Sequence, residues 1–159
     1  MINQSISQIE KNPVNLPEHY TKQIVDLLNT DLASHFILFF QFKKQHWIVE
    51  GPDWKHISTA LDEYAKTIQG LAELLAERLN LLGAIPLSNP SRFKKLSYVQ
   101  FEGEDKHDLR KMIENDLIAE QQLIPKIRER IDFARENRLI PTFLFSLSVF
   151  YLSYNTLTA

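Results

Sequence analysis

The sequence predicts an all-α fold, on three observations. Apolar residues recur at helical spacing over three long stretches. Only four of the 159 residues are glycine. The seven prolines fall mostly between the stretches, where they end helices rather than break them.

The first helix is expected from Pro17-Glu18, because proline suits a first helical turn and an acid there opposes the helix dipole. Ile24, Leu27, Leu28, Leu32, Phe36, Phe39, Phe40 and Trp47 carry it to about Glu50, where Gly51-Pro52 ends it. The second helix starts at Pro52 or Asp53. It carries Ile57, Leu61, Tyr64, Ile68, Leu71, Leu75 and Leu79 to about Leu82, with Gly83 as its stop and Pro86 beyond. Residues 84–104 read as a connection holding a short helix near Arg92–Val99. The third long helix is expected over about Asp105–Asn137, with Pro125 as a kink.

The length suits one domain with a core large enough to fold without staples. Three segments are expected: a flexible polar arm over 1–16, a helical domain over 17–139 and an atypical tail over 140–159. The absence of cysteine excludes disulfides, zinc-thiolate sites and thiol catalysis. A net charge of −2, with Lys11 the one base before Lys22, is not the footprint of a dedicated DNA binder. Met1–Leu16 holds no apolar run flanked by bases, so no signal peptide is visible, and the lack of cysteine fits a reducing cytosol; a cytoplasmic location is the expectation.

Polar residues stand out on two helices. On the second, Ser58, Asp62, Glu73 and Glu77 fall along one stripe, since a helix turns about 100° per residue. On the first, Asp31, His35, Phe39, Phe42 and His46 form a comparable stripe. Imidazole with hard carboxylates suits iron, manganese or zinc. By itself, a Glu-x-x-x-Glu pair is the ordinary pattern of a solvated face. By itself, a histidine beside a tryptophan is an ordinary packing residue.

The wider string is more specific. His46-Trp47 with Gly51, then Trp54 and Asp62, then Glu73-x-x-Ala76-Glu77-Arg78, resembles the Dps family, the mini-ferritins. The resemblance continues through Leu82-Gly83 and Pro86. At Met112-Ile113-Glu114-Asn115-Asp116-Leu117-Ile118-Ala119-Glu120-Gln121 it looks most like the cyanobacterial branch. It covers about residues 18–137.

The resemblance implies a ferritin-like four-helix bundle with a short helix in the connection between its second and third long helices. It also implies a ferroxidase site shared by two subunits. One subunit gives His46, a second histidine twelve residues on, and Asp62. The partner gives an acid at Glu73 and the Glu77 of the Ala-Glu-Arg motif. Glu73 stands where the family usually has Asp. Ser58 stands where the second histidine usually is, and a hydroxyl is the poorer iron ligand. Two substitutes are secondary candidates. His56 lies near Ser58 but about 200° away around the helix. His35 shares a face with His46 at a distance of about 16 Å along the axis, which suits only an auxiliary site.

The implied chemistry is binding of two iron ions per inter-subunit site and oxidation of Fe2+ by hydrogen peroxide. Ferric iron would be stored in a dodecamer built from dimers, which protects the cell from oxidative stress. Two alternatives are an inactive or truncated relative with a structural role, and a DNA-compacting protein. The second needs a basic arm, so DNA is at best a weak partner.

The tail departs from the family. Ile140–Ala159 holds no charged residue, whereas the sequence up to Arg138 is laced with them. The family's fourth long helix is therefore expected to be atypical or missing. A buried helix and a shifted frame or truncation both fit, the latter better. A membrane segment does not, because Ser146, Ser148, Ser153, Tyr154 and Asn155 dilute a short stretch.

Overall fold

The structure, a computed structural model, describes residues 16–137. The expectations for the N-terminal arm and for the 140–159 tail, including the last helix of the bundle, lie outside them. Four helices and no strand occur among the described residues: α1 (Glu18–Ile48), α2 (Trp54–Leu81), α3 (Pro90–Leu96) and α4 (Leu109–Glu136). None is long and apolar enough to cross a membrane.

α1 is the centre of the arrangement and packs against each of the other three, with α2 and α4 flanking it. Both flanking helices run antiparallel to it. Lys43 faces Asp62 and His46 faces Ser58 on one side. Asp31 faces Arg130 and Gln45 faces Asp116 on the other. A central position explains why α1 is buried around most of its circumference, including Asp31, His35, Gln41 and Gln45.

The ends follow local chemistry. Gly51, at φ +126°, takes the turn after α1 that an L side chain resists. α2 ends in a Schellman motif: Gly83 is left-handed at φ +80°, its N–H bonds Asn80 O and the Ala84 N–H bonds Leu79 O. Asn89 caps α3 by accepting from Ser91 N at 3.0 Å, with Pro90 in the first turn.

α4 starts at Leu109, four residues later than the periodicity suggested. Asp108 caps it by accepting from Lys111 N at 2.8 Å. The preceding backbone is committed elsewhere, because Lys44 Nζ binds Gly103 O at 2.7 Å and Asp105 O at 2.6 Å. α4 runs through the exposed Pro125 as one helix.

The apolar core has two parts. One gathers Leu38, Phe42, Leu61, Ile68, Met112 and Leu123, and the other Ile24, Leu28, Leu32, Leu75, Leu79 and Phe93. Polar ties cross between helices. Arg130 Nε lies 3.1 Å from Asp31 Oδ2 with both side chains buried, and Tyr98 Oη donates to Asp31 Oδ1 at 3.1 Å. Burial pushes Asp31 up despite the guanidinium beside it. Glu102 accepts from Lys44, Gln45 and Asn115, which clamps the connection before α4 onto the end of α1.

Candidate metal site

The end of α1 and the start of α2 bring His46, Ser58 and Asp62 together. His46 Nδ1 lies 2.8 Å from Ser58 O and 2.9 Å from Ser58 Oγ, which in turn lies 3.1 Å from His46 O. Asp62, one turn along α2, is held by two lysines. Lys43 Nζ of α1 donates to Oδ1 at 2.7 Å, and Lys66 Nζ lies 2.7 Å from Oδ2. Those two hydrogen bonds hold the Asp62 carboxyl at about 2, well below the usual range. Lys43 also lies over the Trp47 ring, 5.8 Å from its centroid.

Glu73 and Glu77 stand further along α2, exposed, and make no hydrogen bond or ion pair among the described residues. The same helix fixes their distance from Asp62. Eleven residues of rise separate Asp62 from Glu73 by about 16 Å and fifteen separate it from Glu77 by about 22 Å. Within one chain the four candidate ligands form two separate halves. Among the described residues no three His, Asp or Glu side chains gather closely enough to hold a metal ion.

Neither substitute histidine contacts His46, Asp62, Glu73 or Glu77 among the described residues, and Ser58 stands beside His46. His35 is fully buried in the core, with Nδ1 2.8 Å from Asp31 O and Nε2 without a partner among the described residues. Burial pushes it down to about 4, so it is neutral at physiological pH. His56 is exposed in the first turn of α2. Ser58 is buried, and its hydroxyl is taken up by His46.

Sequence reasoning did not single out Lys43 and Lys66, the partners of Asp62. Lys66 carries a readable signal, since it follows Asp62 by one turn. Lys43 carries none, because its pairing spans two helices. It also passed over Asp116 and Glu120 as chemistry, although both sit one turn apart in the apolar stripe of Met112, Ala119, Leu123 and Ile127. Glu120 is 2% exposed with neither carboxyl oxygen partnered among the described residues, and burial, helped by Asp116, pushes it up to about 7. Asp116 is pushed up to about 6 by burial, although Gln41 and Gln45 donate to its Oδ1. Trp47 and Trp54 are not core residues of the chain, being 68% and 53% exposed.

Residues 25–145 match the family model of the ferritin-like domain. A DNA protection during starvation protein of Halobacterium salinarum is 37% identical over 71% of this chain and 62% of its own length. The chain therefore spans less than two thirds of that relative. A nutrient stress-induced DNA-binding protein of the cyanobacterium Nostoc is 34% identical over 80% of this chain and 69% of its own. The crystal structure of an archaeal Dps homologue from Halobacterium salinarum superposes with a TM-score of 0.86. It is 30% identical and covers 90% of this chain and 79% of that one. The ferritin-like match over most of the described helices, with relatives of this identity and coverage, means that the chain belongs to the Dps family of ferritin-like proteins.

Proposed function

We propose that the protein is a Dps-type ferroxidase, which oxidises Fe2+ with hydrogen peroxide at sites shared between subunits and stores the ferric product. The observation that carries this is the division of the candidate ligands. His46 and Asp62 sit at one end of the α1–α2 pair, and Glu73 and Glu77 sit about 16–22 Å away on the same helix. A two-fold partner laid antiparallel on this face would bring each half to the other. Trp47, Trp54, Leu74 and Leu81 leave exposed apolar surface next to both halves, of the kind a subunit interface covers.

In the assembled site His46, Asp62 and the partner copy's pair of glutamates would hold two Fe2+. Glu77 would bridge them, since one carboxylate can neutralise two cations. Each Fe2+ gives one electron to hydrogen peroxide. The O–O bond breaks, and two protons complete two water molecules. Anionic ligands favour Fe3+ over Fe2+, which assists the oxidation. The dodecameric shell, the cytoplasmic location and protection from oxidative stress belong to the same reading.

The experiment is oxidation of anaerobically loaded Fe2+ by stoichiometric peroxide, followed by ferric absorbance. Wild type should oxidise iron rapidly and Glu77→Ala should not. Equal behaviour of the two would sink the assignment.

One observation favours a second reading, a structural relative without activity. Asp62 is already bound by two ammonium groups, and Ser58 offers no imidazole. An oligomer that takes up no Fe2+ in calorimetry would support it. For DNA compaction, the low positive charge of the arm makes an unretarded plasmid the expected gel result.

A further inference from the structure

The residue that replaces the family's second histidine has its own geometry. The Ser58 carbonyl can only accept a hydrogen bond, and it lies 2.8 Å from His46 Nδ1. Nδ1 must therefore carry the proton. The Ser58 hydroxyl, 2.9 Å from the same nitrogen, offers it a second acceptor and sends its own proton to His46 O at 3.1 Å. With the proton on Nδ1, both contacts of this ring nitrogen are hydrogen bonds. A neutral imidazole has a single N–H, so Nε2 is left with a bare lone pair. It makes no hydrogen bond among the described residues.

We infer that Ser58 is a positioning residue: it fixes the His46 ring and tautomer so that Nε2 is the nitrogen offered to a metal cation. This rests on the ferroxidase reading of His46. It assigns the serine a place behind the ligand rather than among the ligands. Groups that orient a ligating imidazole in this way are worth about 10- to 100-fold in metal affinity. The free side chain favours the proton on Nε2, which would block ligation there, so the loop has a preference to overcome. The contact also ties the last turn of α1 to the second turn of α2 across the Gly51–Asp53 turn.

The test is solid-state NMR of the assembled protein labelled with 15N-histidine, free of metal, with His46 identified by the signals lost in His46→Gln. Wild type should show His46 protonated at Nδ1 and bare at Nε2, and Zn2+, a diamagnetic probe, should shift the Nε2 signal. Ser58→Ala keeps the carbonyl but loses the hydroxyl. It should keep the Nδ1-protonated tautomer that the carbonyl fixes, but the ring loses its second hold and Zn2+ binding should fall about tenfold; Ser58→Thr should restore the affinity. His46 protonated at Nε2 in wild type overturns the inference. So does a Ser58→Ala protein unchanged in Zn2+ affinity. The tautomer is read without metal, so the two readings fail separately. An Nδ1-protonated His46 in a protein that oxidises no iron sinks the ferroxidase and leaves the hydrogen-bond loop standing.

Discussion

Lys43 of α1 donates to Asp62 of α2 at 2.7 Å, so a ligand candidate is engaged by a cation before any metal arrives. An incoming Fe2+ must displace that ammonium from Oδ1 or use the other oxygen, which Lys66 contacts.

Replacing Lys43 by Met should therefore strengthen Fe2+ binding. An ion pair within reach of solvent is worth little, so the gain should be a few-fold in affinity at most. Anaerobic calorimetry reads the change. Unaltered or weaker binding would mean that Lys43 does not compete with the metal.

Glu120 predicts a pH dependence of stability. Its folded-state value is raised to about 7, above the usual carboxyl value of about 4.3, so the folded state holds its proton more tightly than the unfolded chain. The favourable contribution is complete below about 4.3 and shrinks as pH rises towards 7. Above 7 the buried carboxylate leaves the fold up to about 4 kcal/mol less stable than at low pH. Glu120→Gln should raise the melting temperature at pH 8 and change it much less at pH 5. Equal gains at both pH values would show that charge is not the cause.

The exposed Trp47 and Trp54 predict the effect of a charge on the proposed subunit face. Trp54→Glu, at a site 53% exposed in the chain, should leave helical circular dichroism unchanged. It should lower the mass by light scattering to that of the monomer, and peroxide-driven iron oxidation should fall with it. Retention of a full-sized oligomer would place the interface elsewhere.

Much of the fold was legible because helix periodicity and helix stops are local. The runs from Ile24 to Trp47 and from Ile57 to Leu79 mark α1 and α2, and Gly51 and Gly83 mark their ends. The start of α4 was misjudged because Lys44, sixty residues away, captures the carbonyls of Gly103 and Asp105 and the helix waits for Asp108. The site was legible in part. His46, Asp62, Glu73 and Glu77 are recognisable by spacing and motif, and helix rise alone separates them into two halves.

The sequence by itself determined the helices, the ligand types and their order along two faces, because each depends on residues within a few turns. Tertiary structure alone decided what those side chains meet. It turned Ser58 towards His46, set Lys43 against Asp62 and buried the Glu120 carboxyl, whose oxygens have no partner among the described residues. These pairings join separate helices, and their geometry follows from how α1 packs against α2 and α4, which no local pattern records.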